Sequence, residues 1–305
     1  VSSASFERSK TKYAGGTQRK VKPNKAMIRV GIIGTGNIGT DLLLKVLKTD
    51  YARIVVFAGR RLDSDGVKIA RDKGVEVTDK GIQYFVDNPR CCDVVYDCTN
   101  AEDAKQHAKV FSEQGIKVID LTPSKVGPLC VPSINPSVIE TNSNVNMITC
   151  GGQSAVPMLN LISKYCKDLS YVEMVSQIAS NSAGMATRIN IDSYIHTTES
   201  AIRQFTGCEN CKVILNLNPA EPCVDMQTTM FLQFKDIDFN KLVEEIYKKV
   251  KELQRYIPYY ELVLPPVIND DVLVLSIKVR GSGDYLPEYA GNLDVINCAA
   301  IELTR

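Results

Sequence analysis

The sequence predicts an α/β fold, a doubly wound parallel sheet followed by an α+β unit, on three observations. An apolar run of strand length at residues 27–33 enters a glycine-rich turn and then a helical pattern at residues 41–47. Further short apolar runs at residues 54–57, 94–96 and 118–119 alternate with helical stretches at 66–73 and 101–114, which implies βαβ units with right-handed crossovers. After about residue 150 the texture changes to longer strands and strongly amphipathic helices.

Taken in order, residues 1–26 carry Arg8, Lys10, Lys12, Arg19, Lys20, Lys22 and Lys25 against a single acid, Glu7, with no apolar periodicity. They are expected to form a disordered basic arm, either a solvated tail or the remnant of an organellar targeting segment. The start at Val1 rather than Met leaves open a fragment or a processed form. Residues 27–149 are expected to form a dinucleotide-binding domain, and residues 150–284 an α+β catalytic and oligomerisation domain. Within the latter, residues 171–179, 212–217 and 224–234 read as strands and 191–205 as a helix. Residues 239–256 place Leu242, Val243, Ile246, Tyr247, Val250 and Leu253 on one stripe opposite Lys and Glu, the pattern of a helix covering a sheet. Residues 271–279 are apolar at nearly every position, as a strand buried on both faces would be. Residues 285–305 are expected to return to the first domain.

Composition narrows the function. With 36 basic and 35 acidic residues the net charge is +1, so no global field draws in nucleic acid or an anionic membrane. No apolar run reaches the roughly 20 residues a membrane span needs, so a cytoplasmic small-molecule protein is expected, the basic arm leaving an organelle open. Ten cysteines stand against two histidines, His107 and His196. A chain of this length has core enough without disulfides, so the thiols are expected to be reduced. No metal site is expected, and a thiol nucleophile is the simpler chemistry.

Gly34-Thr35-Gly36-Asn37-Ile38-Gly39 matches G-x-G-x-x-G between a strand and a helix, the context in which that motif works. Gly34 permits the tight turn, Gly36 the approach of a pyrophosphate, and Gly39 close packing of helix on strand, which makes the first unit a Rossmann domain. At the end of the second strand, where an NAD site usually has an acid, stand Arg60 and Arg61, with Asp63 and Asp65 beyond them. NAD is expected, and NADP stays open.

Among the cysteines, Cys150 follows a strand-like run (residues 145–149) and precedes Gly151-Gly152-Gln153-Ser154, read as a turn, and a helix at 155–165 with Pro157 near its first turn. A helix N-terminus favours the thiolate, and the glycines would leave amides uncovered for an oxyanion. Cys130, between Pro128 and Pro132, is the rival, in an extended loop with no helix dipole. Cys91, Cys92, Cys98, Cys166, Cys223 and Cys298 read as buried small hydrophobes. Cys208-Glu209-Asn210-Cys211 lacks the second ligand pair that a structural zinc requires. Two polar stretches, residues 181–190 and 285–294, read as loops that either bind ligand or merely connect.

Several of these segments, with Ile119-Asp120-Leu121-Thr122-Pro123, Asn218-Pro219-Ala220-Glu221-Pro222 and Tyr285-Leu286-Pro287, together resemble the acylating acetaldehyde dehydrogenases, partners of 4-hydroxy-2-oxovalerate aldolase in aromatic-compound breakdown. The resemblance runs from about residue 27 to the C-terminus. It implies a semialdehyde-dehydrogenase-like pair of domains, a homodimer, and a nucleophile at Cys150. It also implies cofactor contacts at Thr35, Gly36, Asn37 and Ile38, at Ser182, Ala183, Gly184, Met185, Ala186, Thr187, Arg188, Ile189 and Asn190, and at Asn292. The implied reaction oxidises acetaldehyde with NAD and coenzyme A through a cysteine thiohemiacetal and an acyl thioester. Arg61, the short loop after Val267, the end of the C-terminal helix at Arg305 and Met226-Gln227-Thr228 depart from the family's usual pattern, and no general base is assigned. The alternatives are a phosphorylating semialdehyde dehydrogenase of the same fold and a non-catalytic NAD(H)-binding sensor.

Overall fold

In the computed structural model, which describes residues 27–305, the first half alternates strands and helices: β1 (Ile28–Ile33), α1 (Asn37–Val46), β2 (Ala52–Ala58), α2 (Asp65–Asp72), β3 (Val77–Thr78), α3 (Ile82–Asp87), β4 (Val94–Asp97), α4 (Ala101–Gln114), β5 (Lys117–Asp120), α5 (Val138–Thr141) and β6 (Asn144–Asn146). The basic arm expected at residues 1–26 lies outside the described residues. The six strands form one sheet in the order β3-β2-β1-β4-β5-β6, and every pairing is parallel. Such a sheet is covered on both faces, and Val30, Ile32, Phe57, Tyr96, Ile119 and Val145 are accordingly buried. The expected doubly wound sheet is therefore present. α1 begins at Asn37, four residues before its apolar stripe shows in the sequence, because its first turn is built from the motif's own small and polar residues.

The second half contains α6 (Cys150–Ser163), β7 (Cys166–Lys167), β8 (Tyr171–Ala179), a 3-10 turn (Ser180–Ser182), α7 (Met185–Ile189), α8 (Ile191–Thr206), β9 (Cys211–Asn218), β10 (Met226–Gln233), β11 (Asp236–Ile237), α9 (Phe239–Leu253), β12 (Tyr260–Asn269), β13 (Val272–Val279) and α10 (Gly291–Glu302). Its sheet runs β12-β13-β10-β8-β9, antiparallel except for the β8–β9 pair, while β7 and β11 form a separate ribbon. The stripe predicted on α9 packs inward through Leu242, Ile246, Val250 and Leu253, whereas Tyr247 stays exposed.

Three expectations change, and one strand was not foreseen. β13 buries one face fully and the other only in part: Leu273, Leu275, Ile277 and Val279 are buried, while on the opposite face Ser276 is buried and Val272 and Val274 are half-buried. β12 carries Pro265 and Pro266, which hide it in the sequence. It is an edge strand whose register slips between Leu262 and Val267, where prolines that cannot donate to a ladder are tolerated. α6 starts at Cys150, so the expected turn at 150–154 is helical and Pro157 lies in the helix interior. Residues 181–190 are mostly helical turns, and Asn292 belongs to the first turn of α10 rather than to a loop.

After β13 the chain returns to the first half through α10, which packs on α1 and α6. A buried ion cluster fastens this return. Lys45 of α1 meets Asp41 at 2.9 Å, Asp284 at 2.8 Å and Asp294 at 3.2 Å, and Asn297 of α10 donates to Asp41 at 2.8 Å. Burial works to lower the Lys45 pKa, but the three carboxylates outweigh it and the ammonium is held above its ordinary value. No helix among the described residues is long and apolar enough to cross a membrane.

Candidate active site

A cavity of about 340 Å³ opens at the C-terminal edge of the parallel sheet, at the switch point between β1 and β4, the place where open α/β sheets receive ligands. The glycine motif forms one wall, and its three glycines serve different ends. Gly34 has φ +104°, and a Cβ there would come within 2.6 Å of the Cys98 carbonyl. A Cβ on Gly39 would strike the Gly34 carbonyl oxygen. A Cβ on Gly36 would meet nothing within 4 Å, so the fold itself does not demand glycine there, and the open space fits a phosphate drawn to the α1 N-terminus. Across the cavity Asn292 is 6% exposed, and its side-chain oxygen has no hydrogen-bond partner among the described residues. A buried acceptor in a cavity wall fits a ligand donor such as a carboxamide. Both observations fit a nicotinamide dinucleotide.

Cys150 is the first residue of α6 and half-buried in the same wall. The approach to it is strained. Ile148 has φ +65°, a conformation that costs a β-branched residue on the order of 1–3 kcal/mol, and Asn146 holds it by accepting the Ile148 amide at 3.0 Å while donating to the Thr122 carbonyl at 2.8 Å. Thr149 then caps α6, its hydroxyl accepting the Gly152 amide at 2.9 Å. The amides after Cys150 are not left uncovered as the glycines suggested. Gly151 donates to the Tyr194 hydroxyl at 3.0 Å, Gly152 to Thr149, and Gln153 to the Thr149 carbonyl at 2.8 Å. The glycines are there for packing, since a Cβ on Gly151 would strike the Tyr194 oxygen and one on Gly152 would crowd Ile148. The Tyr194 oxygen is 3.9 Å from the Cys150 sulfur. Beneath them Ser154, Ser176 and Thr228 form a buried hydroxyl network with distances of 3.1 and 2.9 Å. Burial pushes the Cys150 thiol up to about 11, opposed by Tyr194 and by the amides of Gly151 and Cys150.

Two buried carboxylates lie side by side at the ends of β4 and β5, Asp97 paired in register with Asp120. Asp97 takes His107 at 2.7 Å and the Thr99 amide at 3.1 Å, and Asp120 takes the Thr122 amide at 2.7 Å and the Ser124 hydroxyl. Burial, reinforced by Asp97, raises the Asp120 pKa to about 7. An ordinary carboxyl in the unfolded chain titrates near 3.9, so from about pH 4 to 7 the folded chain holds a proton that the unfolded chain has lost, and stability falls as pH rises through that window. Asp120→Asn is expected to flatten this slope in urea melts taken across the window; an unchanged slope would remove Asp120 as its source.

Of the predicted site residues, Gly36, Asn37, Ile38, Cys150, Ser182, Gly184, Met185, Thr187, Asn190 and Asn292 line the cavity. Gly34 and Gly39 shape the turn beneath it, and the Thr35 hydroxyl faces Ser64 at 3.5 Å. Ala183 is buried behind the wall, Ala186 lies within α7, and Ile189 is 73% exposed. Arg188 turns back onto the Ala183 and Ser180 carbonyls at 3.1 and 2.8 Å. Cys130 is fully buried, with burial pushing its thiol up to about 12, and Gln153 clamps its carbonyl to α6 at 2.7 Å. His196 is a surface residue of α8, and no metal-holding group of side chains occurs among the described residues. Sequence reasoning missed Cys98, Thr99, Asn100, Thr122, Thr149 and Tyr194 in the wall. Asn100 and Thr122 follow the C-terminal ends of β4 and β5, and that position was the available signal.

Residues 29–142 match the family described as semialdehyde dehydrogenase, NAD binding domain, and residues 150–287 that described as prokaryotic acetaldehyde dehydrogenase, dimerisation. The chain is 49% identical to an acetaldehyde dehydrogenase of Pectobacterium atrosepticum over 280 residues, which is 91% of this chain and 95% of that protein. It is 48% identical to an acetaldehyde dehydrogenase of Spirochaeta aurantia over 91% of this chain and 94% of that one. Among solved structures, aspartate semialdehyde dehydrogenase II of Vibrio cholerae superposes with a TM-score of 0.63 at 12% identity, covering 90% of this chain and 97% of that one. A probable aspartate-semialdehyde dehydrogenase of Pseudomonas aeruginosa gives 0.62 at 11% identity over 91% and 97%. At that identity these two structures speak for a shared fold.

Proposed function

The chain belongs to the acetaldehyde dehydrogenase family, and we propose that it oxidises acetaldehyde with NAD at Cys150 and passes the acetyl group to coenzyme A. The observation that carries this reading is a single cysteine at a capped helix N-terminus in the wall of the cavity that the glycine motif forms. The Cys150 thiolate adds to the aldehyde carbon, and the oxygen takes the charge. Of the first amides of α6, that of Cys150 donates to no other residue among the described ones; it favours the thiolate before attack and can turn to this oxygen after it. Bound NAD supplies the hydride acceptor and a positive charge that favours the thiolate. Loss of the hydride leaves an acetyl thioester on Cys150. The coenzyme A thiolate then adds to the acetyl carbon, and the Cys150 thiolate leaves.

Gly36, Asn37 and Ile38 at the α1 N-terminus, the Ser182–Asn190 segment and Asn292 would hold the dinucleotide. Arg61 is drawn into a bidentate pair with Asp63 at 2.9 and 2.8 Å, while Arg60 is 81% exposed and only 3.5 Å from Asp103. Arg60 is therefore available to a 2′-phosphate, and measurable turnover with NADP is expected, at a kcat/KM below that with NAD. An undetectable NADP rate would reject this.

A homodimer fits the outer face of the second sheet, where Val175, Phe231 and Val274 stand half-buried in adjacent strands. The decisive assay follows NADH formation from acetaldehyde, NAD and coenzyme A, each omitted in turn, with phosphate offered in place of coenzyme A. Turnover dependent on coenzyme A is expected. Turnover dependent on phosphate would favour a phosphorylating enzyme, and NAD binding without turnover a sensor. Association with an aldolase remains the family's expectation, to be tested by co-purification.

A further inference from the structure

Resting on Cys150 as the nucleophile, we propose that Tyr194 is a second catalytic residue of this chain: its phenol donates a hydrogen bond to the ionised Cys150 sulfur and thereby raises the share of reactive thiolate. Tyr194 comes from α8, 44 residues along the chain, and its ring is 5% exposed. Its oxygen sits 3.0 Å from the Gly151 nitrogen, which donates to it, and 3.9 Å from the Cys150 sulfur. In the neutral pair the thiol proton points at the phenol oxygen. Once that proton has left to solvent through the cavity, the same two heavy atoms accommodate the reverse bond, O–H to S⁻, with no proton lost by Tyr194. A hydrogen bond to the charged form favours that form.

The ring is held where it can do this. The Tyr194 amide donates to the Asn190 carbonyl at 2.8 Å, the Thr198 hydroxyl donates to the Tyr194 carbonyl at 2.8 Å, and only a glycine at position 151 leaves room for the phenol oxygen. Gly151 is the second residue of α6. The chain amide to phenol to sulfur therefore carries the polarity of the helix N-terminus to the thiol, each bond polarising the next.

The need for such a donor is plain from what surrounds the sulfur. Besides Tyr194 from α8, the polar side chains at the start of α6 are the hydroxyls of Thr149 at its cap, Ser176 on β8 and Thr228 on β10, none of which titrates in the pH range of the thiol. No charged side chain among the described residues bears on the thiol. Burial and the neighbouring sulfur keep the phenol well above its ordinary pKa, so it remains a donor while the thiol ionises.

The test is the pH dependence of Cys150 alkylation by iodoacetamide in the free enzyme, followed by mass of the Cys150 peptide. It needs no acetaldehyde, so its failure is distinct from failure of the dehydrogenase reading, which the omission assay tests. In Tyr194→Phe the profile is expected to move up by about one pH unit, which is about tenfold slower alkylation below the midpoint, with kcat/KM for acetaldehyde falling by a similar factor. NAD affinity is expected to be kept. An unmoved profile, with or without a lowered melting temperature, overturns the proposal, since a ring that only packs would leave the thiol's titration alone. Should the phenylalanine variant not fold, Gly151→Ala, whose Cβ displaces the phenol oxygen, is expected to shift the profile the same way, and an unchanged profile there overturns it equally.

Discussion

Replacing Cys150 by alanine is expected to lower turnover by about 10⁵-fold while leaving dinucleotide affinity within about a factor of two, because removing a nucleophile deletes the covalent path and not the binding site. The geometry separates the two effects. The sulfur stands in one wall, whereas the space above Gly36 and the unpartnered Asn292 oxygen belong to other walls of the same cavity. Cys130→Ala is the control. Its sulfur is fully buried and 3.8 Å from the Asn135 carbonyl, so the variant should lose about 1–2 kcal/mol of stability and keep its turnover. Turnover of Cys150→Ala near the parent rate, or an inactive but folded Cys130→Ala, would reverse the assignment.

Lys45→Met is expected to destabilise the fold by about 3–5 kcal/mol, because it leaves Asp41, Asp284 and Asp294 around a site that is 7% exposed with no cation inside it. Lys48, mostly exposed, still reaches Asp284 and softens the loss only there. The cluster joins α1 to the segment before α10 and to α10 itself, so the variant should also weaken dinucleotide binding, since Asn292 stands in the first turn of α10. Adding Asp41→Asn to Lys45→Met is expected to recover part of the stability by removing one uncompensated charge. Denaturant melts read both effects. A loss below about 1 kcal/mol would mean that the cluster contributes little.

The first sheet was legible because its signals are local. A strand-length apolar run, a glycine turn whose three glycines meet three separate steric demands, and Asn100, which caps α4 by accepting the Glu102 and Asp103 amides at 3.0 Å, are each written within a few residues. β12 was not legible, because Pro265 and Pro266 remove the strand signal and only an edge position makes them tolerable. The α6 start was misread for a related reason. Gly151 and Gly152 look like a turn, and the demand for glycine comes from Tyr194 and Ile148, one of them 43 residues away from its partner. The position of Cys150 could thus be chosen from the sequence, but not what surrounds its sulfur. That depends on how α8 packs on α6, which no local pattern encodes.

The half-buried outer face of the second sheet has a thermodynamic corollary. If two copies cover that face for each other, unfolding also separates them, and apparent stability becomes a function of protein concentration. Each tenfold dilution then subtracts about 1.4 kcal/mol from the dimer's unfolding free energy. The melting midpoint should fall steadily along a dilution series, and the same dilution should find the most weakly fastened parts of the second sheet first. β12, with its slipped register and exposed Val263, Leu264, Val267 and Ile268, is the strand that would exchange its amides earliest.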